Sequence, residues 1–306
     1  TNTASRQSQT GPPACSIKGE PSMGKVIISA DSTCDIGPEL QKRYNVQLLN
    51  WRILLDDREY LDNVNITPDD LYRAWRERGV LPKSTGATCE EYKNHFQPLI
   101  DQGYEVVHIG LGSGISCSYQ NAVQAAKETG HVITIDSQNL STGFGLLVVE
   151  AAELAEKGCS AAEIRERIEE LRPRSHASFL LDTLEFMKAG GRCSALAAFG
   201  ASILQLKPCI EVDNSDGSRM HVGKKYRGKM EQCLLQYVHN KLDGRTDLDL
   251  RRVFVTHSGS PESDIRAVCR EVSRCANFEQ IIVTRANCTI STHCGPRTLG
   301  VLFLTK

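Results

Sequence analysis

The strongest constraint in this chain of 306 residues is an alternation of strand and helix patterns. Val106-Val107-His108-Ile109 reads as a strand and Ser116 to Lys127 as a helix. His131-Val132-Ile133-Thr134-Ile135 is the next strand, and Leu140 to Glu156 the next helix. Strands separated by helices pair in parallel through right-handed crossovers, because a tight turn cannot return the chain in the same direction. Val26-Ile27-Ile28-Ser29-Ala30 adds a buried strand ending in Asp31-Ser32-Thr33, and Ser160 to Leu171 a further helix. Gly37-Pro38 opens a helix through Tyr44, and Val46 to Leu55 reads as one more strand. Helix starts are marked at Thr67-Pro68-Asp69-Asp70, and at Thr88 with Glu91 three residues on. The fold class is therefore α/β, beginning with a three-layer α/β/α domain on a parallel sheet over residues 23–171.

The rhythm changes at Arg172-Pro173-Arg174. Pro208 to Val212 and Arg219 to Gly223 flank Asn214-Ser215-Asp216-Gly217, a hairpin signal. Strands and helices then mix up to the apolar run Leu299-Gly300-Val301-Leu302-Phe303-Leu304. This predicts a second, smaller two-layer α/β domain with a mixed sheet over residues 172–306. Residues 1–22 are rich in Thr, Ser, Gln, Pro and Gly without periodicity, which predicts a disordered leader or arm. Met23, just ahead of the first strand, is expected to be the natural start.

Charge and composition narrow the function classes. A net charge of -1 and the absence of long basic runs argue against a nucleic-acid partner. No apolar run is long enough for stable membrane insertion, and no basic-then-apolar leader is present, so a cytoplasmic location is expected. The chain has 12 cysteines but no Cys-x-x-Cys pair, so no metal site is expected and the thiols should behave as small hydrophobes. There is no phosphate-binding loop of the Gly-x-x-x-x-Gly-Lys-Ser/Thr type, and Gly-x-Gly-x-x-Gly fails at Ile115, so no nucleotide cofactor is expected.

Polar turns at strand ends remain as candidates for a site, since ligands gather at the carboxyl ends of parallel strands. They are Asp31 to Asp35, Lys83 to Thr88, Gly110 to Tyr119 and Asp136 to Asn139. Three glycines in the third loop would let backbone amides approach an anion ahead of a helix at Ser116. Gly190-Gly191-Arg192 offers a guanidinium beside little steric bulk. The small apolar residues Ala195 to Leu204 would leave room for a hydrocarbon. His293, read as sitting at the lip of the closing strand before Gly295-Pro296, has one ring nitrogen directed inward.

Taken in order, Asp31-Ser32-Thr33, Lys83-Ser84-Thr85, Ser113-Gly114-Ile115-Ser116 with Tyr119-Gln120, Asp136-Ser137, Gly190-Gly191-Arg192, Lys207-Pro208 and His293-x-Gly295-Pro296 resemble the DegV family from Met23 to Lys306. The resemblance implies a long-chain fatty acid held between two domains, with no other cofactor. It also implies that the carboxylate is presented to a separate fatty acid kinase subunit, the carrier itself having no catalytic residues. Carried over by motif, Ser84 or Thr85, Ser116, Arg192 and His293 would hold the carboxylate. Ser32, Gly114 and Gly191 would add backbone or secondary contacts, and Arg227 would meet the kinase. Arg297 stands where the family commonly has a small residue, and Cys117-Ser118 where it often has Gly-Thr.

The competing reading is a serine-dependent acyl hydrolase or transferase. There Ser116 would attack, His293 would act as base and Asp136 or Asp31 would orient it. Gly114-Ile115-Ser116-Cys117-Ser118 lacks the final glycine of a nucleophile elbow, which weighs against this.

Overall fold

A computed structural model describes residues 24–194 and 206–306. The expected arm over residues 1–22 and the small-residue stretch Ala195 to Leu204 lie outside the described residues. In chain order the first half holds β1 (Lys25–Asp31), α1 (Gly37–Tyr44), β2 (Gln47–Leu49), β3 (Arg52–Leu55), β4 (Arg58–Leu61), α2 (Pro68–Arg78), β5 (Lys83–Thr85) and α3 (Cys89–Asp101). It continues with β6 (Tyr104–Gly110), α4 (Ser118–Thr129), β7 (Val132–Asp136), α5 (Ser141–Glu156) and α6 (Ala161–Leu171). The second half holds β8 (Ser175–His176), β9 (Ser178–Leu180), α7 (Glu185–Gly190), β10 (Leu206–Asp213), β11 (Arg219–Arg227) and α8 (Met230–Leu242). It closes with β12 (Leu248–His257), α9 (Glu262–Cys275), β13 (Gln280–Arg285), α10 (Cys288–Cys294) and β14 (Leu299–Thr305).

The first sheet is parallel, in the order β2-β1-β6-β7. Helices α3 and α4 pack on one face and α5 and α6 on the other, giving three layers. The second sheet is mixed, in the order β11-β10-β9-β14-β12-β13 with β8 paired to β14. Its strands obey a strict two-residue rule. Val253 and Val255 face the layer of α8 and α9, whereas Phe254 faces the other way; Val301 and Phe303 alternate likewise with Leu302 and Leu304. All of these side chains are buried, so both faces of this sheet are covered.

What covers the second face is α5. Its first twelve residues, Ser141 to Ala152, are all buried, as expected for a helix apolar all round rather than along one stripe. It touches β1 and β6 on one side and β8 and β14 on the other, so the two sheets share one hydrophobic core. Polar ties cross this junction as well, both at its rim and inside it. Arg251 Nη1 lies 2.9 Å from Glu150 Oε1, Arg252 pairs with Glu153, and Thr142 Oγ1 lies 2.5 Å from Thr256 Oγ1.

Two local expectations are corrected. The stretch Val46 to Leu55 is not one strand but two in different sheets, parted at Asn50-Trp51: β2 joins the parallel sheet, while β3 pairs antiparallel with both β4 and β5 in a small third sheet. The helix after the glycine loop starts at Ser118 with Cys117 as its N-cap, leaving Ser116 in the preceding loop.

The glycines of that loop serve packing. A Cβ at Gly112 would fall 2.0 Å from Ser218 Oγ, and one at Gly114 would fall 1.7 Å from Gly217 O. The β10–β11 hairpin turn therefore seats directly on the loop after β6, and glycine is what admits it. Gly114→Ala should cost at least ~1–3 kcal/mol, because the obstacle is backbone rather than a movable side chain. A urea unfolding midpoint equal to that of the unsubstituted chain would refute this account of the contact.

Candidate functional site: a cavity between the two sheets

The chain leaves β1 toward β2 on one side, and leaves β6 toward β7 on the other. The carboxyl ends of β1 and β6 thus mark the switch point of the parallel sheet, where a crevice is expected. Asp31 at the end of β1 fixes the loop after β6 by accepting a 2.8 Å hydrogen bond from Leu111 N, and its other oxygen accepts from Tyr92 OH at 2.7 Å. Over this end lies the α5-facing side of the second sheet. A cavity of about 850 Å³, its mouth included, opens between them.

Most of its wall is apolar. Leu111, Ile115 and Leu140 come from the first half, and Phe179, Met220 and Leu302 from the second. Its polar groups include Ser84, Ser116, Arg192 and His293. Such a cavity suits a ligand with a long apolar part and one anionic end.

His293 belongs to helix α10, not to a strand lip, and the start of that helix explains its placement. Two buried carboxylates from the first half receive it. Asp62 accepts from Cys288 N at 2.7 Å, from Thr289 N at 3.0 Å and from Thr289 Oγ1 at 2.7 Å. Asp35 accepts from Asn287 N at 2.8 Å, and the Asn287 side chain donates to Ser32 O at 2.6 Å. Carboxylates at a helix N-terminus satisfy its free amides and its positive dipole end. One turn beyond Thr289, His293 Nε2 lies 2.8 Å from Ser84 Oγ on β5.

The other ring nitrogen, Nδ1, is buried without a hydrogen-bond partner among the described residues and faces Gly190, where a Cβ would come within 2.4 Å of it. An unpaired buried N–H is costlier than an under-used acceptor, which favours the tautomer with hydrogen on Nε2, donating to Ser84. Burial first, and then the nearby Arg192 guanidinium, push the His293 pKa down to about 4. The ring is therefore neutral at pH 7.

The remaining expected residues fall into two groups. Ser116 lines the cavity, and its Oγ lies 2.8 Å from Ser118 Oγ beside Gly86. Arg192 lines the cavity with an exposed side chain, donating to Gly190 O at 2.5 Å. Thr85, adjacent to Ser84 on the strand, points the other way and is exposed. Ser32 is wholly buried away from the lining, where Trp51 N donates to its Oγ at 3.2 Å. Gly114 meets the hairpin as described, and Gly191 is an exposed left-handed cap of α7 (φ 66°). Arg227 is exposed at the end of β11. Arg297 turns away to Asp264, 3.1 Å distant.

The hydrolase arrangement is not assembled. Ser116 Oγ engages Ser118, whereas His293 engages Ser84. Asp136 accepts from Ser113 N and Gln138 N, and Asp31 from Leu111 N and Tyr92, so neither orients His293.

Several lining residues were missed from sequence: Trp51, Ser141, Thr256, His257, Ser258 and Thr298. The run Thr256-His257-Ser258 was legible as a polar strand end after Val253-Phe254-Val255. Trp51 was hidden inside a segment read as one strand.

The sequence profile of the DegV family matches residues 25–306. The chain belongs to the DegV family. A DegV domain-containing protein of Caldanaerobacter subterraneus subsp. tengcongensis is 32% identical over 292 aligned residues, covering 93% of this chain and 100% of the relative. Among solved structures, a fatty-acid-binding DegV family protein from Thermus thermophilus superposes with a TM-score of 0.81 at 28% identity, over 92% of this chain and 100% of that one. A stearic-acid-binding protein from Eubacterium ventriosum gives 0.79 at 24% identity, over 93% and 99%, a likeness that carries the fold. Among the described residues of this DegV chain, no helix is long and apolar enough to cross a membrane.

The neutral His293 makes a prediction. Its ordinary pKa is 6.5 and its folded value about 4, so between these the unfolded chain binds a proton that the native site refuses. This group therefore removes stability as pH falls from about 6.5 to about 4 and changes nothing above. A histidine NMR titration should place the His293 midpoint near about 4; an ordinary midpoint near 6.5 would show that the ring is not desolvated.

Proposed function

We propose that this chain binds a long-chain fatty acid in the cavity between its two sheets and presents the carboxylate to a separate fatty acid kinase for acyl-phosphate formation. The observation that carries the reading is the cavity itself: a largely apolar wall with Ser84, Ser116, Arg192 and His293 among its polar groups, in a chain that shares its fold and 28% identity with a DegV protein that binds fatty acid. Burying about fourteen methylenes at ~0.8 kcal/mol each yields roughly 11 kcal/mol before ordering costs. The head group then needs orientation more than strength.

Ser84, Ser116, Arg192 and His293 supply that orientation. With His293 Nε2–H donating to Ser84 Oγ, the Ser84 hydroxyl hydrogen is free to donate to a carboxylate oxygen. Thr85 is left out, since its side chain lies on the opposite side of β5. Arg192 adds positive charge from the mouth, where it stays hydrated and escapes the cost of burying a cation.

The same geometry favours carriage over catalysis. A general base works best with a pKa near the working pH, and His293 sits well below it with no carboxylate behind Nδ1 among the described residues. Arg227 is the contact for the kinase in this reading. It lies seven residues along β11 from the cavity-lining Met220, roughly 23 Å at strand spacing.

Native mass spectrometry of the purified chain should show a co-purified long-chain fatty acid. Ser84→Ala and His293→Ala should each weaken rebinding of a delipidated sample by about ten-fold, the worth of one charge-assisted hydrogen bond. A folded chain that neither carries nor binds any fatty acid would overturn the reading, as would labelling of Ser116 by an activated-serine probe with acyl-ester turnover. Arg227→Ala should leave lipid binding unchanged while lowering phosphorylation of the bound acid by a partner kinase; equal phosphorylation rejects the role given to Arg227.

A further inference from the structure

On the far side of the second sheet from the cavity, α8 and α9 bring three donor groups of different chemistry to one point. His239 lies in the last turn of α8, while Glu271 and Cys275 are one turn apart at the end of α9. Cys275 Sγ is 3.7 Å from Glu271 Oε1, and His239 Nδ1 is 3.9 Å from the same oxygen. All three donor atoms lie within 4.8 Å of one another. A tetrahedral ion with bonds of ~2.1 Å to N and O and ~2.3 Å to S sets its donors roughly 3.4–3.6 Å apart. The cluster is thus within about an ångström of a coordination shell.

Three surrounding features point the same way. Asp243 Oδ2 lies 3.6 Å from His239 Nε2, the position of the carboxylate that orients a metal-bound imidazole through its second nitrogen. The C-terminal ends of both helices, with their negative dipole ends, converge on the spot. Cys275 is half-buried, so its sulfur is held against Glu271 and not free in solvent. The opposing feature is Arg274, whose guanidinium donates to both Glu271 oxygens at 2.7 and 3.0 Å. That side chain is 71% exposed and the pair is three residues apart on one helix, so an ion can displace it at small cost.

We propose that His239, Glu271 and Cys275 form a binding site for one divalent transition-metal ion of the zinc class, which staples α8 to α9 over the outer face of the second sheet. Thiolate, imidazole and carboxylate together suit Zn²⁺ and Co²⁺ rather than Mg²⁺ or Ca²⁺. With three protein donors, the fourth position falls to water. The donors come from two helices, so no closely spaced cysteine pair announces the site in the sequence.

The test is a titration of the reduced, chelator-stripped full chain with Co²⁺, followed by Zn²⁺. One equivalent of Co²⁺ should produce a thiolate-to-cobalt absorption band that Zn²⁺ abolishes. Cys275→Ser should remove the band, and His239→Gln should weaken Zn²⁺ binding by about tenfold or more, the loss typical even of an outer-sphere partner. Arg274→Ala should tighten binding by freeing Glu271, whereas Cys117→Ser, which removes an exposed thiol elsewhere, should leave the band intact. All four substitutions are at exposed or half-buried positions, and circular dichroism checks that each variant folds. Absence of a saturable band, or a band that survives Cys275→Ser or vanishes with Cys117→Ser, overturns the proposal.

Discussion

The seating of α10 on Asp62 and Asp35 is the interaction on which the site depends. Asp62 directly follows β4, and its backbone N–H donates to Trp51 O at 2.8 Å, locking it to the small three-stranded sheet. That same sheet carries Ser84 on β5. Asp62 therefore grips α10 at Thr289 while Ser84 meets it at His293, four residues later on the same helix face. The Ser84–His293 distance is the far end of a rigid interface whose near end is a charge-assisted cap. Such caps resist substitution because removing the acceptor leaves several buried amides without partners. The small sheet belongs to the first half of the chain and α10 to the second, so one contact both joins the halves and builds the polar end of the cavity.

The apolar end has a different origin. A two-layer unit leaves one sheet face bare, and here α5 from the first half covers only part of it. Where α5 begins, at Leu140 and Ser141, the cover stops and the cavity starts. Asp35 and Ser141, both in left-handed backbone, hold this corner through a 2.6 Å hydrogen bond. Left-handed backbone at these two residues persists because the surrounding structure over-determines it. The hairpin turn seated on Gly112 and Gly114 bounds the first half's contribution at the loop after β6.

How much of this was legible follows from which forces set each piece. The long buried strands and α5 were readable because apolar burial dictates them residue by residue. The small sheet was not: Arg58-Glu59-Tyr60-Leu61 and Lys83-Ser84-Thr85 have little apolar content, and β3 alone joins them. Helix α10 was misplaced for a related reason. Cys288-Thr289-Ile290-Ser291-Thr292-His293-Cys294 is rich in residues of middling or poor helix propensity, and its helix exists through a cap provided by residues more than 220 positions earlier. Ser84, Ser116, Arg192 and His293 were nonetheless picked out together, because motif resemblance registers spatial convergence that local pattern cannot. The glycines of the loop after β6 show the converse error. A glycine-rich loop before a helix suggests amides approaching an anion, yet the close approach is made by the protein's own hairpin.

The electrostatics of the polar end bear on what kind of ligand handling it permits. A carboxylate buried against a full cation would gain a strong pair at a heavy desolvation cost, and its removal would leave an uncompensated charge. Here the inner groups are neutral hydroxyls and a neutral imidazole, while Arg192 stays in solvent. Neutral donors orient an anion with little penalty when it leaves, and an exposed guanidinium attracts it without having to be desolvated. In the function proposed above, affinity then resides in the hydrocarbon, which is the same before and after any change at the head group. That division is what the proposed presentation to a kinase requires: chemistry at the carboxylate would alter the weakly held end and leave the strongly held end in place.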